Sequence, residues 1–432
     1  MTIHIIVKNF GKIKSADIAL RELVLFVGNN NSGKTLLMQL IYGIRKKIKT
    51  LSLPMGQVKE SFLNGQMLIR CDIAWYRELE TYLNDYLAER KAHIIQDIFG
   101  MAVPADEISI RLEDCEDSYF VSSLTECEEG GGGNQRRGVC VNTIQYENGQ
   151  TLRHHSWVVA KRDTLEAAME DAVRDIWHML LADFGSDEED QLFLPASRSG
   201  LQLLYKNYFA GGVEGNLAMP VKDFLRFQQL YSENENISES QKALIEFGQK
   251  YLLQGRVVQK GDEIFYISEQ GDVTVPLYIA SSMIHELTPI VKALKRVPDI
   301  GWLFYDEVEN SLHPLMQREM ARWLIRMVNA GRHVVVSTHS DTMAGRLNNL
   351  FMLTVLNARQ HKFNMLQELE LQEADLLNKD VTVVVYEFRN HGNGTSSVDE
   401  LEFTEHPLVG YDFKLFGDNL DKLYNESVKM ME

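Results

Sequence analysis

Gly28-Asn29-Asn30-Asn31-Ser32-Gly33-Lys34-Thr35 sets two glycines, a lysine and a hydroxyl at the spacing of a phosphate-binding loop, G-x-x-x-x-G-K-[ST]. Glycine lets backbone amides turn onto phosphate oxygens, Lys34 reaches the β and γ phosphates, and the Thr35 hydroxyl is a ligand for Mg²⁺. Asn29, Asn30, Asn31, Ser32 and Gly33 supply the loop backbone, so residues 29 to 35 are read as the set that binds a nucleoside triphosphate such as ATP. The flanks agree with this chemistry. The apolar run Leu23 to Val27 predicts a buried strand feeding the loop, and Leu36 to Ile44 carries the spacing of a helix leaving it.

A second cluster completes such a site. Trp302-Leu303-Phe304-Tyr305-Asp306-Glu307 predicts a buried strand ending on two carboxylates. Asp306 is assigned to the hydration shell of Mg²⁺ opposite Thr35, and Glu307 to orienting and polarising the attacking water. A helix over 315–329 then leads to the strand Val334 to Val336 and to Ser337-Thr338-His339-Ser340, which puts His339 at a strand tip within reach of a γ-phosphate. His285 and His313 read as bystanders. Ser281 and Ser282 open the helical stretch that follows Ala280, and two readings stand for them: an ordinary N-cap, or an anion-binding segment that completes the nucleotide site of an opposing subunit.

The elements that must hold these residues are legible in outline. Residues 3–8 and 16–20 predict short strands around the turn Asn9-Phe10-Gly11-Lys12, and 70–98 has helical spacing. Residues 106–160 carry β-type runs broken by Gly130-Gly131-Gly132-Gly133, read as a hairpin tip. A helix is expected over 164–184. Leu192 to Leu194 predicts a strand ending at Pro195 and presenting Ala196-Ser197-Arg198-Ser199-Gly200. Residues 201–254 read as helical, interrupted at Gly211-Gly212 and at 232–236, too short and broken for a long coiled coil. A strand over 381–388, a polar turn at 391–397 and a terminal helical stretch close the chain.

Composition narrows the class. The balance of 44 basic against 61 acidic residues, a net charge of −17, argues against a surface that coats nucleic acid through phosphate neutralisation. The densest basic run, Arg45, Lys46, Lys47 and Lys49, reads first as a solvated helix face and second as a surface for DNA or an acidic partner. The 4 cysteines show neither a Cys-x-x-Cys pair nor matching histidines, so they read as reduced and structural. No stretch has the length and apolarity of a membrane span and no leader pattern opens the chain, so the expectation is a cytoplasmic protein, or one peripheral to something else, with no membrane partner.

In order and spacing, this series resembles the ABC/SMC branch of P-loop ATPases, and more closely the stand-alone AAA-type ATPases related to the OLD family. The matching stations are Asn9 to Gly11, Gly28 to Thr35, Leu194 to Gly200, Ala280 to Ser282, Asp306 to Pro314 and Thr338 to Ser340. The resemblance implies an α/β fold: an ABC/SMC-type ATPase head over 1–350 with a mixed or antiparallel β lobe and a parallel core sheet. It also implies an inserted helical and β lobe at 51–190, a short helical lid at 201–254, and a C-terminal α/β extension at 351–432 that completes the head or binds a partner. Two heads sandwich two nucleotides in that family, so at least a homodimer is implied, with Ser281 and Ser282 facing the partner's γ-phosphate. Arg198 matches the family's Pro-Ala-x-Arg arginine and is implied as a γ-phosphate or lid sensor, with Gln191 carried beside it.

This chain departs from the family pattern at Met283, where a glycine is usual, and at Asp306-Glu307-Val308-Glu309, where Glu-Glu-Pro-Glu is common. After His339 no Asp-x-Asp pair of a TOPRIM nuclease appears. The implied function is therefore an ATP-hydrolysing switch controlling a separate effector, such as a nuclease or toxin, in bacterial antiphage defence of the PARIS, Septu or retron-linked kind. The alternative is a short-armed SMC-like ATPase of DNA repair or recombination, for which DNA is the partner. A transporter subunit fits least, because the sequence between Lys34 and Asp306 is too long for a compact transporter head.

Overall fold

Leu23 to Val27 is apolar at every position and buried on both faces, as a strand in the middle of a parallel sheet has to be. The structure, a computed structural model, describes residues 1–49, 51, 62–63, 66–129, 136–147, 150–160, 191–203, 217–230, 237–261, 263–296, 300–360, 363–406 and 409–415. Its strands run in chain order as β1 (Thr2–Phe10), β2 (Ile13–Leu20), β3 (Leu23–Gly28), β4 (Phe62–Leu63), β5 (Gln66–Cys71), β6 (Glu107–Glu113), β7 (Ser118–Glu129), β8 (Arg136–Glu147), β9 (Gln150–Ala160) and β10 (Gln191–Leu194). They continue as β11 (Gly255–Lys260), β12 (Glu263–Ser268), β13 (Thr274–Pro276), β14 (Trp302–Tyr305), β15 (His333–Thr338), β16 (Val383–Asn390), β17 (Ser396–Leu401), β18 (Phe403–Thr404) and β19 (Gly410–Tyr411).

The main sheet has nine strands in the order β10-β14-β15-β3-β16-β17-β2-β1-β6. Its first five strands are parallel neighbours, and their register aligns Leu194 with Tyr305, Tyr305 with Val336, Val336 with Leu25 and Leu25 with Val385. All five carboxyl ends therefore open on one edge, where ligands bind in open α/β sheets. The fold is thus a mixed α/β fold with a parallel core. Behind β14 and β15 packs the amphipathic helix Pro314–Asn329, whose Trp323 is fully buried and donates its indole N–H to the Leu244 carbonyl at 2.8 Å.

By contacts the chain divides into two compact units. One gathers Met1–Ile5, Ile44–Lys91 and Ile108–Glu188, and contains the antiparallel sheet β4-β5-β7-β8-β9. The other gathers Ile6–Gly43, Ala92–Glu107 and Glu189–Glu432, and holds the parallel core and every residue assigned to the nucleotide site.

Several elements differ from expectation. The first two strands are longer than 3–8 and 16–20, so the turn between them shrinks to Gly11 and Lys12. The expected strand over 381–388 runs from Val383 to Asn390, and β17 already begins at Ser396. The basic run is no solvated face: Arg45 is fully buried and Lys49 is 6% exposed, and all four of its cations have partners. The helix carrying it packs on more than one side. Cys71 and Cys115 are free thiols, and burial pushes Cys71 up to about 12. The tetraglycine, the helix expected over 164–184, the interruptions at 211–212 and 232–236 and most of the terminal stretch lie outside the described residues. Among the described residues no helix is long and apolar enough to cross a membrane.

A buried ionic triad fixes the outer face of the Pro314–Asn329 helix. Asp375 is fully buried and accepts from Arg322 at 2.9 Å and Arg326 at 2.7 Å, while both guanidiniums lie over the Phe247 ring. Burial pushes the Asp375 carboxyl up, but the two arginine hydrogen bonds outweigh it and hold the group below its ordinary 3.8. A depressed carboxylate pKa contributes stability above the ordinary value, and that contribution is lost as pH falls through the folded value. Asp375→Asn should therefore cost about 3–5 kcal/mol near neutral pH by leaving two guanidiniums underpaired. In acid titrations followed by circular dichroism, the wild-type protein should lose stability more steeply than the variant below roughly pH 4.

Candidate nucleotide site

Five strand ends deliver the site. At the end of β3 the chain enters the loop through Gly28, whose φ of +147° only glycine adopts without strain and where a Cβ would collide with the Phe388 carbonyl of β16. Gly33, at φ +100°, lies so close to Ile13 that a Cβ would sit 3.0 Å from its side chain. Side chains at these two positions would therefore press on β16 and β2 and displace the loop. Ser32 is buried, and Asn29, Asn30 and Asn31 are exposed.

Lys34 is 6% exposed, and its ammonium donates to the carbonyls of Gly28 at 2.8 Å and Asn29 at 2.7 Å. Burial lowers its pKa, and the carboxylates of Asp306, Glu309 and Glu307 oppose that shift. The next side chain, Thr35, donates its hydroxyl to both oxygens of Asp306, at 3.0 and 2.8 Å. Loop and β14 thus meet at one carboxylate.

Asp306 is 1% exposed, so burial raises its pKa, and hydrogen bonds from Ser337 and Thr35 favour the ionised form. The Ser337 hydroxyl, from β15, donates to Asp306 at 2.5 Å and accepts from the Glu307 backbone N–H at 2.8 Å. One hydroxyl therefore ties the two acidic residues to the neighbouring strand. Glu307 has a φ of +47°, sparsely populated for a non-glycine residue, so the turn after β14 has to be held from outside. Its carboxyl is pushed up by burial and by Asp306 beside it.

Arg198 supplies part of that hold. It is fully buried under the turn after β10, with its guanidinium 4.6 Å from the centre of the Tyr305 ring. Its donors reach the carbonyls of Pro195 at 3.0 Å, Asp306 at 2.9 Å and Glu307 at 3.3 Å. Its Nε pairs with the buried Glu286 at 2.5 Å. This arginine, read from the sequence as a phosphate or lid sensor, is committed in this structure to the backbone of the acidic turn. Gln191 is likewise buried and donates to the Tyr42 carbonyl at 3.2 Å.

His339 immediately follows β15 and lies beside Glu309. Its Nδ1 lies 3.0 Å from a Glu309 carboxylate oxygen that also accepts the His339 backbone N–H at 2.7 Å. That bond raises the His339 pKa, and although burial alone would raise Glu309, the bonds from His339 hold its carboxyl below the ordinary range. With Nδ1 engaged, Nε2 is the ring nitrogen left for a ligand.

Ser281 and Ser282 are exposed at the start of the Ser282–Leu294 helix, and Ser281 is its N-cap residue without a side-chain cap bond. Met283 packs against the core, and Glu286, one turn on from Ser282, is the partner of Arg198. His285 is buried with its pKa lowered by burial, and His313 caps the Leu315 N–H, so neither faces the carboxylates.

The donor set suits Mg²⁺, which takes one or two protein oxygens and completes its shell with water and phosphate. Thr35 and Asp306 offer such hard oxygens side by side, and no group of three or more His, Cys, Asp or Glu able to hold a metal occurs among the described residues. Sequence reasoning missed Ser337 and Glu309 as parts of this network. Glu309 stands two residues after Glu307 and Ser337 immediately before Thr338-His339, so position alone carries the signal.

The family model described as AAA ATPase domain matches residues 1–152 and 215–344. No curated protein matches the chain. Among solved structures it is similar to an SMC head bound to the C-winged helix domain of ScpA, at 13% identity over 93% of this chain and 97% of that one, with a TM-score of 0.38. It is also similar to the SMC head domain from Thermotoga maritima, at 12% identity over 93% and 99%, with a TM-score of 0.34. A third is the Smc head domain with an extended coiled coil bound to the C-terminal domain of ScpA, derived from Pyrococcus furiosus, at 11% identity over 99% of both chains and a TM-score of 0.36. Likeness at such scores says nothing of activity or partners.

The buried Arg198–Glu286 pair generates a separable prediction. Arg198→Met should destabilise the protein by about 3–5 kcal/mol in thermal unfolding, because Glu286 is left as an unpaired buried charge. Arg198→Met with Glu286→Leu should recover much of that loss, since removing both charges is often nearly neutral.

Proposed function

This chain belongs to the AAA ATPase domain family, and on that premise we propose that it binds ATP with Mg²⁺ and hydrolyses it at the edge where β3, β14 and β15 end. The observation that carries the reading is the bond between Thr35 and Asp306, which brings the phosphate loop and the acidic strand end together beside Lys34. Bound Mg²⁺ would neutralise developing charge on the phosphates. The loop amides and Lys34 hold the β and γ phosphates. Glu307 orients a water and accepts its proton as the oxygen–phosphorus bond forms and the bond between the β and γ phosphates breaks. Ser337 fixes the Glu307 backbone for that task, Arg198 supports it from below, and His339 contacts the γ-phosphate through Nε2.

We further propose that two copies close around nucleotide, each presenting Ser281 and Ser282 to the other's γ-phosphate. Supporting this, the segment just before Ser281 exposes Tyr278 at 66% and Ile279 at 62%, apolar surface that a second copy would cover. Control of a separate effector such as a nuclease or toxin, in antiphage defence, rests on the resemblance of the motif series.

Lys34→Ala should abolish ATP binding in isothermal titration. Glu307→Gln should bind ATP yet lower the hydrolysis rate by roughly 10² to 10⁴, the range of a lost general base, and accumulate ATP-bound dimers in light scattering. Unchanged turnover in Glu307→Gln would remove its assignment as the water-orienting base. Ser282→Arg should block dimer-dependent hydrolysis while leaving ATP binding to the monomer intact; preserved hydrolysis would sink the sandwich.

A further inference from the structure

The C-terminal hairpin β16–β17 lies outside the residues that match the ATPase family, yet it touches the phosphate loop at two points and reaches it at a third through Lys12. Phe388 packs against Gly28, where a Cβ would collide with its carbonyl. Asn390 donates its side-chain N–H to the Asn30 carbonyl at 3.0 Å. Ser396 donates its backbone N–H to the Lys12 carbonyl at 2.8 Å, and the Lys12 ammonium donates to the Asn31 carbonyl at 2.7 Å. The Ser396 hydroxyl, fully buried, donates to the side-chain oxygen of Asn390 at 3.0 Å, which turns the NH₂ group of Asn390 toward the loop.

Four successive loop carbonyls are thereby accounted for, those of Gly28 and Asn29 by Lys34 and those of Asn30 and Asn31 by Asn390 and Lys12. In a planar trans peptide the C=O of one residue and the N–H of the next point in opposite directions. Holding the Asn30 carbonyl toward the hairpin and the Asn31 carbonyl toward the Lys12 ammonium therefore turns the N–H groups of Asn31 and Ser32 the other way.

We propose that Asn390, with Lys12, is a positioning residue of the nucleotide site: the C-terminal hairpin sets the phosphate loop so that its amides are pre-aimed at the phosphates. This rests on the reading that the loop binds ATP. An aimed loop binds without first ordering itself, so the hairpin acts on affinity. It touches no reacting atom.

The test uses the full chain, with ATP and Mg²⁺ as the probe. Asn390→Ala and Asn390→Asp should weaken ATP binding about five- to tenfold, the loss expected for one hydrogen bond, and should raise KM with kcat at saturation within about twofold. Asn390→Gln, which keeps the donor, should recover most of the affinity, a rescue that a purely structural role would not give. Ser396→Ala should produce a smaller loss of the same kind. If the wild-type protein binds ATP, Lys34→Ala does not, and Asn390→Asp binds as the wild type does, the hairpin has no positioning role while the ATPase reading stands. If the wild-type protein binds no ATP, both fall together.

Discussion

A carboxylate buried to 1% exposure is tolerable only where other groups satisfy it, and Asp306 is satisfied from two elements at once. Thr35 reaches it from the loop after β3, and Ser337 reaches it from β15. This constraint fixes the parallel register. A slip of one residue in β14 would turn its side chains to the opposite face and leave the carboxylate without hydroxyls. The acidic turn that follows depends on the same arrangement, because Glu307 takes its left-handed backbone only with Ser337 at its N–H and Arg198 at its carbonyl.

The electrostatics form two layers. Above the strand ends, three carboxylates, Asp306, Glu307 and Glu309, act on the buried ammonium of Lys34, so the site is acidic before any ligand enters. A triphosphate complexed to a divalent cation suits such ground better than a bare polyanion. Below them, Arg198 and Glu286 form a closed pair whose charge is internally balanced. The lower layer shapes the backbone, and the upper layer lines the edge where the strands end.

The site was legible wherever its information is local. The loop from Gly28 to Thr35, the strand ending at Asp306 and the tip at His339 follow from residue types and short periodicities, and the structure puts all three at one sheet edge. What escaped was set by partners distant in sequence. Arg198 looks like a free cation in its own segment, and only the approach of Glu286 and the Asp306 carbonyl reveals that its donors are engaged. The cations Arg45 and Lys49 read as a solvated face because a charge count cannot see what packs over a helix. Asn390 carried no signal, since its significance comes from β16 lying beside β3.

That adjacency has a bearing on how the protein is made. Strand β3 is flanked by β15 and β16, so both edges of the strand that carries the phosphate loop are closed by segments more than three hundred residues further along the chain. Until β16 emerges from the ribosome, β3 keeps an open, wholly apolar edge, the kind of surface that pairs with wrong partners. Such long-range pairing is also slow to form, because loop closure has to precede the contacts that reward it. The nucleotide pocket is consequently among the last parts of the molecule to mature, and a nascent chain stalled before residue 383 presents its phosphate loop on an unfinished sheet.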